Sequence, residues 1–405
     1  MLIKVLNIYY KSNFGLTSLA AFTLVCILFY INVNNRSIMY LPSADNSHSI
    51  RSYSPAHKKI QHIEILNPRW FEMPTSEHLT CMGMYECRFT INNATNLDPN
   101  ADLVVFQFTR LPLIRPSKSA DQLWLLNAAE PQTFAKVDLA EWNGYFNYSF
   151  TYKRDSNRPN KWASQIFSHK LSKTIRSFDN ERLTTMDLKP KVVWFVSHCS
   201  NLVRSARLEY ALELSQWVHL SIFTIKLRCR RAIDSIKPNL ISLLPFSEQP
   251  PLSSFHFYLS FENNLCEDYI TEKFWKILEG PDLIIPIVMG GLRMEEYERT
   301  APPNSYIHVK NFTSPKHLSE HLHYVTRHKE AFNYYLSWRN SFKLYREDPS
   351  EFCKFCSLAH MRPTKVWHDI SMHFSRDQCI DVAANNSYCD YYGMSAFKCK
   401  NRVNA

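Results

Sequence analysis

Short apolar runs separated by polar stretches fill the chain from Ile60 onward. Buried strands are predicted where such runs are strongest, at 101–108, 122–127, 191–197, 220–225, 255–261 and 283–289. Between them, apolar residues at helical spacing predict a helix over 205–217, and a second helix over 162–178 is predicted to bridge two lobes. Because strands and helices alternate along the chain, the pattern predicts an α/β fold with parallel sheets.

A long uncharged segment lies near the N-terminus, between Lys11 and Arg36. Its apolar part is long enough to cross a bilayer as one helix. No obvious small-residue cleavage site precedes Asn35, so an uncleaved signal anchor is favoured over a removed signal peptide. A buried core helix is the alternative. We therefore expect three N-terminal regions: a cytoplasmic tail (1–13), a transmembrane signal anchor (14–34) and an extended stem (35–60).

Two features beyond this segment are typical of a secretory lumen. Glycosylation sequons begin at Asn35 in the predicted stem and, as predicted glycosylation sites of the folded part, at Asn93, Asn147, Asn311 and Asn385. All eleven cysteines except Cys26 also follow the segment, and in an oxidising lumen they are expected to form disulfides. Half a zinc site at Cys353-x-x-Cys356 is the alternative, but Cys81 and Cys87 are too far apart for the usual tight pair of ligands.

Glycine content and net charge limit the kinds of ligand site that this chain can form. Only seven of the 405 residues are glycine, and no Gly-rich phosphate loop occurs, so phosphates must be bound by side-chain cations and helix N-termini. The net charge is +10, with one dense basic cluster over 226–231. No nucleic-acid-binding module accompanies it, so we expect no nucleic-acid partner, and the charge favours an anionic small substrate or a soluble basic surface.

The most informative stretch reads Phe-Tyr-Leu-Ser-Phe-Glu-Asn-Asn-Leu-Cys-Glu-Asp-Tyr-Ile-Thr-Glu-Lys-Phe-Trp, over 257–275. A buried strand runs into polar residues and then into a helix, expected from about Asp268 to Gly280. The expected apolar stripe consists of Ile270, Phe274, Ile277 and Leu278, and the opposite face carries Tyr269, Glu272, Lys273 and Lys276. Patterning alone favours a surface helix with a solvated polar face.

This stretch resembles the signature motif of the α-1,3-fucosyltransferases, Phe-Tyr-Leu-Ala/Ser-Phe-Glu-Asn-Ser-x-x-x-Asp-Tyr-Ile/Val-Thr-Glu-Lys. Similarity covers roughly residues 60–360 and includes Ile285-Pro-Ile-Val-Met-Gly, Tyr334-Tyr-Leu-Ser-Trp-Arg, Phe352-Cys-Lys-Phe-Cys and, upstream, Tyr152-Lys-Arg-Asp-Ser. The resemblance implies a GT-B-like fold, in which two Rossmann-like lobes enclose a cleft. Its expected parts are an acceptor-side lobe (61–178), a GDP-fucose-binding lobe (179–350) and a Cys-containing C-terminal tail (351–405).

The resemblance also implies a reaction: inverting transfer of L-fucose from GDP-fucose to a GlcNAc hydroxyl of a glycan, in α-1,3 linkage, by a type II Golgi membrane protein. Such a reaction needs cations on the departing pyrophosphate, an anion near the developing positive charge and a base for the acceptor hydroxyl. By matching position, Arg207 and Lys273 bind the pyrophosphate, Tyr269 donates a hydrogen bond to it, and Glu272 lies near the fucose.

Two further residues of the motif, Glu262 and Asn263, are expected to shape the donor pocket or to serve the structure alone. No Asp-x-Asp occurs in the chain. We therefore expect no obligatory metal or cofactor, with at most stimulation by a divalent cation.

The acceptor base is where the resemblance weakens. The family uses the Glu of a Glu-Ser-Pro turn, but an ungapped match on Asn127 and Pro131 puts Ala129 at that position and Glu130 at the Ser. A one-residue shift in an extended segment reverses the side chain, although a turn before the proline could restore its direction. Glu130 is the predicted base, and solvation of the turn is its alternative role.

The shifted glutamate leaves a second functional hypothesis open. His198 also stands where the family has Asn, and Phe223-Thr224 replaces a Tyr-Gly. The alternative to an active enzyme is a catalytically impaired relative that binds glycan or nucleotide without turnover.

The resemblance finally implies two disulfides, Cys81 with Cys353 and Cys87 with Cys356. The remaining lumenal cysteines stay unassigned: Cys199, Cys229, Cys266, Cys379, Cys389 and Cys399.

Overall fold

A computed structural model describes residues 59–66, 77–157, 165–169, 189–234, 241–242 and 249–394, apart from short gaps at 82, 93–95, 135, 200–202, 225, 347–349, 363–365 and 385–386. Within these ranges no helix is long and apolar enough to cross a bilayer. The predicted tail, anchor and stem lie outside the described residues, as do the sequons at Asn35, Asn93 and Asn385.

The first lobe is built on a six-stranded sheet, followed by one further strand. Its strands are β1 (Gln61–Leu66), β2 (His78–Cys81), β3 (Tyr85–Asn92), β4 (Leu103–Gln107), β5 (Leu123–Ala128) and β6 (Tyr148–Thr151), and β7 (Gln165–His169) comes next. The sheet order is β2-β3-β1-β4-β5-β6, and all neighbours are parallel except the β2–β3 pair. Strands β1, β5 and β6 are buried along their whole length. Of these, β5 reads as an apolar run, as expected for a strand of a parallel sheet, whereas β1 and β6 carry polar residues and were not predicted.

The second lobe alternates strands and helices around another six-stranded sheet. Its elements are β8 (Lys191–Phe195), α1 (Arg207–Leu214), β9 (His219–Phe223), α2 (Leu227–Asp234), β10 (Ile241–Ser242), β11 (Phe257–Phe261), β12 (Leu265–Cys266), α3 (Glu272–Glu279), β13 (Ile285–Met289), α4 (Glu295–Thr300) and β14 (Ile307–His308). All pairs of the sheet are parallel and the order is β10-β9-β8-β11-β13-β14. The direction of winding therefore reverses between β8 and β11, which is where doubly wound sheets bind ligands.

The chain ends with a mostly helical region. Its elements are α5 (Pro315–Arg327), α6 (Lys329–Leu336), α7 (Trp338–Ser341), β15 (Phe342–Arg346), α8 (Glu351–Met361), α9 (Ile370–His373), β16 (Cys379–Ile380) and α10 (Tyr388–Tyr392). Both lobes and this region belong to one compact unit.

The helix predicted over 162–178 is wrong in its described part. Residues 165–169 form strand β7, which pairs antiparallel with β15. Backbone hydrogen bonds to a strand far away in sequence determine this conformation, and the local spacing of apolar residues does not reveal them.

Described residues of the expected C-terminal tail (351–405) pack against both lobes. On α8, Phe352 and Phe355 are buried in the same core cluster as Ile63 and Phe89 of the first sheet. Farther along, Val382, Tyr388, Tyr392 and Met394 are buried in the core of the second lobe. The C-terminal segment therefore returns to the first lobe before it crosses to the second.

Two disulfides join the C-terminal segment to the first lobe. Cys81 is bonded to Cys353 and Cys87 to Cys356, in the order that the resemblance implies. Two of the unassigned pairs are Cys199–Cys229 and Cys266–Cys379, and Cys389 is disulfide-bonded as well.

Asn147 conflicts with its predicted glycosylation. Its side chain is only 9% exposed, and its Oδ1 accepts hydrogen bonds from the backbone N–H of Trp124 (2.9 Å) and from Lys118 Nζ (2.7 Å). Burial lowers the pKa of Lys118 to about 8. The Asn147 amide is therefore used in hydrogen bonds that stabilise the first sheet. The other sequon asparagine among the described residues, Asn311, is exposed.

We expect Asn147→Ala to destabilise the chain by about 1–3 kcal/mol, because the buried Trp124 N–H and the Lys118 ammonium lose their acceptor. Chemical denaturation measures this loss, and glycopeptide mapping of the wild type should find a glycan at Asn311 and none at Asn147. A glycan on Asn147 of the folded protein would contradict the buried arrangement.

Candidate active site

The crevice between the ends of β8 and β11 is organised by Arg207, the first residue of α1. Its guanidinium donates to the carbonyl oxygen of Phe261 at the end of β11 (2.7 Å) and to that of His198 beyond β8 (2.8 Å). The side chain is 3% exposed. Arg207 thus joins the two strand ends at the point where the sheet reverses. Its expected role on a pyrophosphate stays a prediction.

A buried carboxylate follows β11 directly. Glu262 is fully buried and accepts hydrogen bonds from the backbone N–H of Thr271 (2.7 Å), from Thr271 Oγ1 (2.8 Å) and from Lys273 Nζ (2.9 Å). A Cβ on Gly290 would lie 2.6 Å from Glu262 Cγ, so glycine is needed beside it. Thr271 belongs to the signature motif but was assigned no role in the sequence analysis, and its Oγ1 also accepts a hydrogen bond from Lys273 Nζ (2.7 Å).

Lys273 and its neighbouring carboxylates favour one another's charged forms, whereas burial disfavours them. Burial raises the pKa of Glu262. Burial alone would lower the pKa of Lys273, but the carboxylates of Glu262 and Glu272 hold it above its usual value. Burial likewise opposes the charge of Glu272, yet Lys273, 3.3 Å away, holds the pKa of that carboxyl below its usual range. A cation and an anion therefore lie side by side at the start of α3.

Helix α3 begins at Glu272, four residues later than predicted. Asp268 has φ 61°, a left-handed conformation that cannot belong to an α-helix. Tyr269 therefore lies in the loop before the helix and is buried, rather than on the helix's polar face. Of the predicted apolar stripe, Phe274, Ile277 and Leu278 are buried along α3, and Ile270 is buried in the loop before it.

Tyr269 connects this loop to the first lobe. Its hydroxyl donates a 2.8 Å hydrogen bond to Oε2 of Glu130, just beyond the end of β5. Asn263 also hydrogen-bonds Glu130, while Ala129 is exposed. The turn before Pro131 therefore directs Glu130, not Ala129, to the donor motif.

The environment of Glu130 suits a proton acceptor. Burial raises the pKa of its carboxyl, although the hydrogen bond from Tyr269 and the charge of Lys273 act in the opposite direction. Burial also raises the pKa of Tyr269 well above its usual value, so this hydroxyl stays protonated and donates. A base with a raised pKa is a stronger proton acceptor than an ordinary glutamate.

Further contacts join the two lobes beside Tyr269. Lys153, 4% exposed, lies 3.2 Å from the carboxylate of Glu267, and the ring of Tyr152 meets the ring of Tyr269 edge-on at 4.9 Å. The resemblance at Tyr152-Lys-Arg-Asp-Ser was the signal that could have identified Lys153. Nothing in the sequence pattern identified Glu267.

Among the described side chains, one group lies close enough together to hold a metal ion: Cys87, Cys356 and His360. Both cysteines are in the Cys87–Cys356 disulfide and offer no thiolate. The expectation that the reaction needs no metal stays a prediction.

Comparison with known proteins gives the same two-part division. The model described as glycosyltransferase family 10 (fucosyltransferase) C-term matches residues 186–373, and the model described as fucosyltransferase, N-terminal, matches residues 58–163. Together the two matches span both lobes and the crevice between β8 and β11.

Curated relatives agree with these matches. Glycoprotein 3-alpha-L-fucosyltransferase A of Drosophila melanogaster is 32% identical over 283 residues, covering 68% of this chain and 50% of the relative. Alpha-(1,3)-fucosyltransferase C of the same organism is 28% identical over 318 residues, covering 71% and 68%. This chain thus spans about half the length of the first relative. It belongs to glycosyltransferase family 10, a family of fucosyltransferase enzymes.

Proposed function

We propose that this chain transfers L-fucose from GDP-fucose to a GlcNAc hydroxyl of a glycan, in α-1,3 linkage and with inversion at the sugar carbon. The observation that carries the proposal is the hydrogen bond between Tyr269 and Glu130, which brings a candidate base to the donor motif. The two lobes then act as a GT-B-like pair, with the nucleotide in the second lobe and the acceptor against the first. The names of the relatives support the linkage.

Three side chains of the second lobe would stabilise the departing GDP. Lys273 lies at the start of α3 and Arg207 at the start of α1, so both cations lie beside helix N-termini, where anions bind favourably. Tyr269 would exchange its bond to Glu130 for one to a phosphate oxygen. Charge on the leaving group is stabilised most where water is excluded, and the burial of Arg207 and Tyr269 provides that condition.

Glu130 would take the proton of the acceptor hydroxyl. The hydroxyl oxygen then forms a bond to the anomeric carbon of fucose from the face opposite GDP, and the bond from that carbon to the phosphate oxygen breaks. The ionised Glu272 would stabilise the positive charge that develops on the sugar.

An open cavity of about 650 Å³, lined in part by Gln132, would give the acceptor room near the turn that carries Glu130. It starts at Gln132, next to the Glu130 turn, and the C-terminal segment around Met372 forms its other side. Polar side chains dominate its wall, and Met372, 71% exposed, offers an apolar surface to a sugar face. Its size is within the range of small-ligand sites.

The impaired-relative hypothesis rested on the shifted register of Glu130. The partial burial of Glu130 and its bond to Tyr269 support the role of base over the alternative, in which Glu130 only solvates the turn. The donor is GDP-fucose, and the acceptor is a GlcNAc-containing glycoprotein or glycolipid glycan. The secretory setting, a type II Golgi membrane protein with a lumenal catalytic part, belongs to the same proposal and is supported by the disulfides.

Nucleotide selectivity tests the donor assignment. We expect GDP, but not UDP at equal concentration, to stabilise the chain by about 2.7 kcal/mol at 100 times its Kd, and to do so equally in EDTA. Thermal melting measures the shift. Equal stabilisation by UDP would contradict the guanine-nucleotide donor, and loss of stabilisation in EDTA would contradict metal-independent binding.

A further inference from the structure

The C-terminal segment contacts two loops that carry candidate donor-binding residues. We call residues 378–394, apart from 385–386, the strap, and the loop between β11 and α3, residues 262–271, the donor loop. Strand β16 of the strap pairs antiparallel with β12 inside the donor loop, and the Cys266–Cys379 disulfide joins the two strands. Next to it, the backbone N–H of Glu267 donates to the carbonyl oxygen of Gln378 (2.8 Å). The strap is therefore fixed covalently to the middle of the donor loop.

The other side of the strap holds the turn before α1. The backbone N–H groups of Val382 and Ala383 both donate to the carbonyl oxygen of Arg204 (3.1 Å), and the Tyr392 hydroxyl donates to that of Ser205 (3.0 Å). Asp381 forms an ion pair with the guanidinium of Arg204 (3.2 Å). These contacts lie within three residues of Arg207.

The strap's contacts adjoin two strained residues. Asp268 (φ 61°) and Ala206 (φ 51°) both adopt the left-handed conformation without being glycine. Such conformations are unfavourable for residues other than glycine and persist only where the surroundings enforce them. One strap contact, through Glu267, is next to Asp268, and the contact through Ser205 is next to Ala206.

The strap is also well anchored in the second lobe. Val382 is 1% exposed and Tyr392 4% exposed, and the ring of Tyr392 meets the ring of Tyr210 on α1 edge-on at 5.1 Å. A Cβ on Gly393 would lie 1.8 Å from the carbonyl oxygen of Thr313, so the strap's end packs directly against the backbone before α5. An anchored strap can hold the loops that it contacts.

We propose that the strap is a positioning element for nucleotide binding, which keeps the donor loop and the turn before α1 in their strained, ligand-ready conformations. The inference rests on the proposed function and adds to it, because the strap lies beyond the residues 186–373 that match the family. Cys379, Asp381 and Tyr392 are its positioning residues. Without the Cys266–Cys379 disulfide, the donor loop relaxes, and only a fraction of the molecules retain the conformation that binds nucleotide. The apparent affinity for nucleotide falls in proportion to that fraction.

The test compares two variants that each lose one disulfide. Cys266→Ser/Cys379→Ser removes the strap's tie. Cys81→Ser/Cys353→Ser removes a bond between α8 and the first sheet, to which the neighbouring Cys87–Cys356 disulfide still joins α8. Calorimetric titration with GDP should show about tenfold weaker binding for the first variant and a change of less than about twofold for the second, as expected if a tenth of the molecules stay competent. In turnover, KM for GDP-fucose should rise while kcat changes little.

Tyr392→Phe keeps the test decisive if the double variant does not fold. This change removes only the hydroxyl that bonds Ser205 and retains the ring's packing. We expect about threefold weaker GDP binding, because a hydrogen bond between neutral groups makes a modest net contribution. Wild-type affinity in every folded strap variant would overturn the strap's role and leave the proposed function intact. A wild type that binds no GDP would overturn both.

Discussion

Replacing Lys273 with methionine should lower kcat/KM for GDP-fucose by about 100- to 1,000-fold. The ammonium group lies at the start of α3, between Glu262 and Glu272, and in the proposed reaction it stabilises the charge of the departing pyrophosphate. Methionine nearly retains the length of the side chain but not its charge. Steady-state kinetics with varied GDP-fucose measures the loss, and GDP binding should weaken in parallel.

Loss of Lys273 also removes the partner of a buried carboxylate. Breaking such a pair typically costs about 3–5 kcal/mol, but Glu262 can take up a proton because burial already raises its pKa. Kinetics should therefore be recorded well below the variant's melting temperature. Lys316→Met, which changes an exposed lysine on α5, controls for the loss of one positive charge. Equal kinetics for Lys273→Met and this control would refute the donor role.

Glu130→Gln should lower kcat by about 100-fold or more while GDP binding stays intact. The amide oxygen of glutamine can still accept the hydrogen bond of Tyr269, so the local structure is retained, but the side chain can no longer take up the acceptor's proton. Single-turnover rates with saturating donor separate this effect from binding. Normal turnover in Glu130→Gln, with a faster rate in Ala129→Glu, would place the base elsewhere.

The pH profile gives the same residue a second signature. Because burial raises the pKa of Glu130, the base should be lost at a higher pH than for an exposed glutamate. As the pH falls through this raised pKa, the carboxylate takes up a proton and kcat/KM for the acceptor declines. Glu130→Gln should lack this acidic limb and show a low, flat rate.

Six strands of the two sheets were predictable, because a strand in a parallel sheet is buried on both faces and can read as one apolar run. Residues 257–261 and 285–289 show this directly, and each lies within a predicted run. Strand β1 was not predicted, because Gln61, His62 and Glu64 interrupt its apolar residues. The start of α3 was not predictable, because Asp268 is held left-handed by tertiary contacts such as its backbone N–H bond to Glu296 Oε2 (2.7 Å). The helical spacing of apolar residues does not reveal that contact.

Long-range pairing limited the rest of the prediction. The resemblance supplied Cys81–Cys353, but spacing alone could not assign Cys379 to Cys266, because only the folded chain brings β16 beside β12. Asn147 shows the same limit, since a sequon does not reveal that its amide is buried beneath Trp124. The site residues were found mainly through the motif, and the hydrogen bond across the cleft from Tyr269 was not foreseen.

Transfer of labelled fucose from GDP-fucose tests the central claim most directly. The full chain would be assayed with N-acetyllactosamine, its sialylated and GalNAc-containing forms, and an N-glycan core as acceptors. The account predicts α-1,3-linked fucose on at least one of them, with product nearly abolished in Glu130→Gln. Tight GDP binding by the wild type with no label transferred to any acceptor would contradict it and identify a relative that binds nucleotide without turnover.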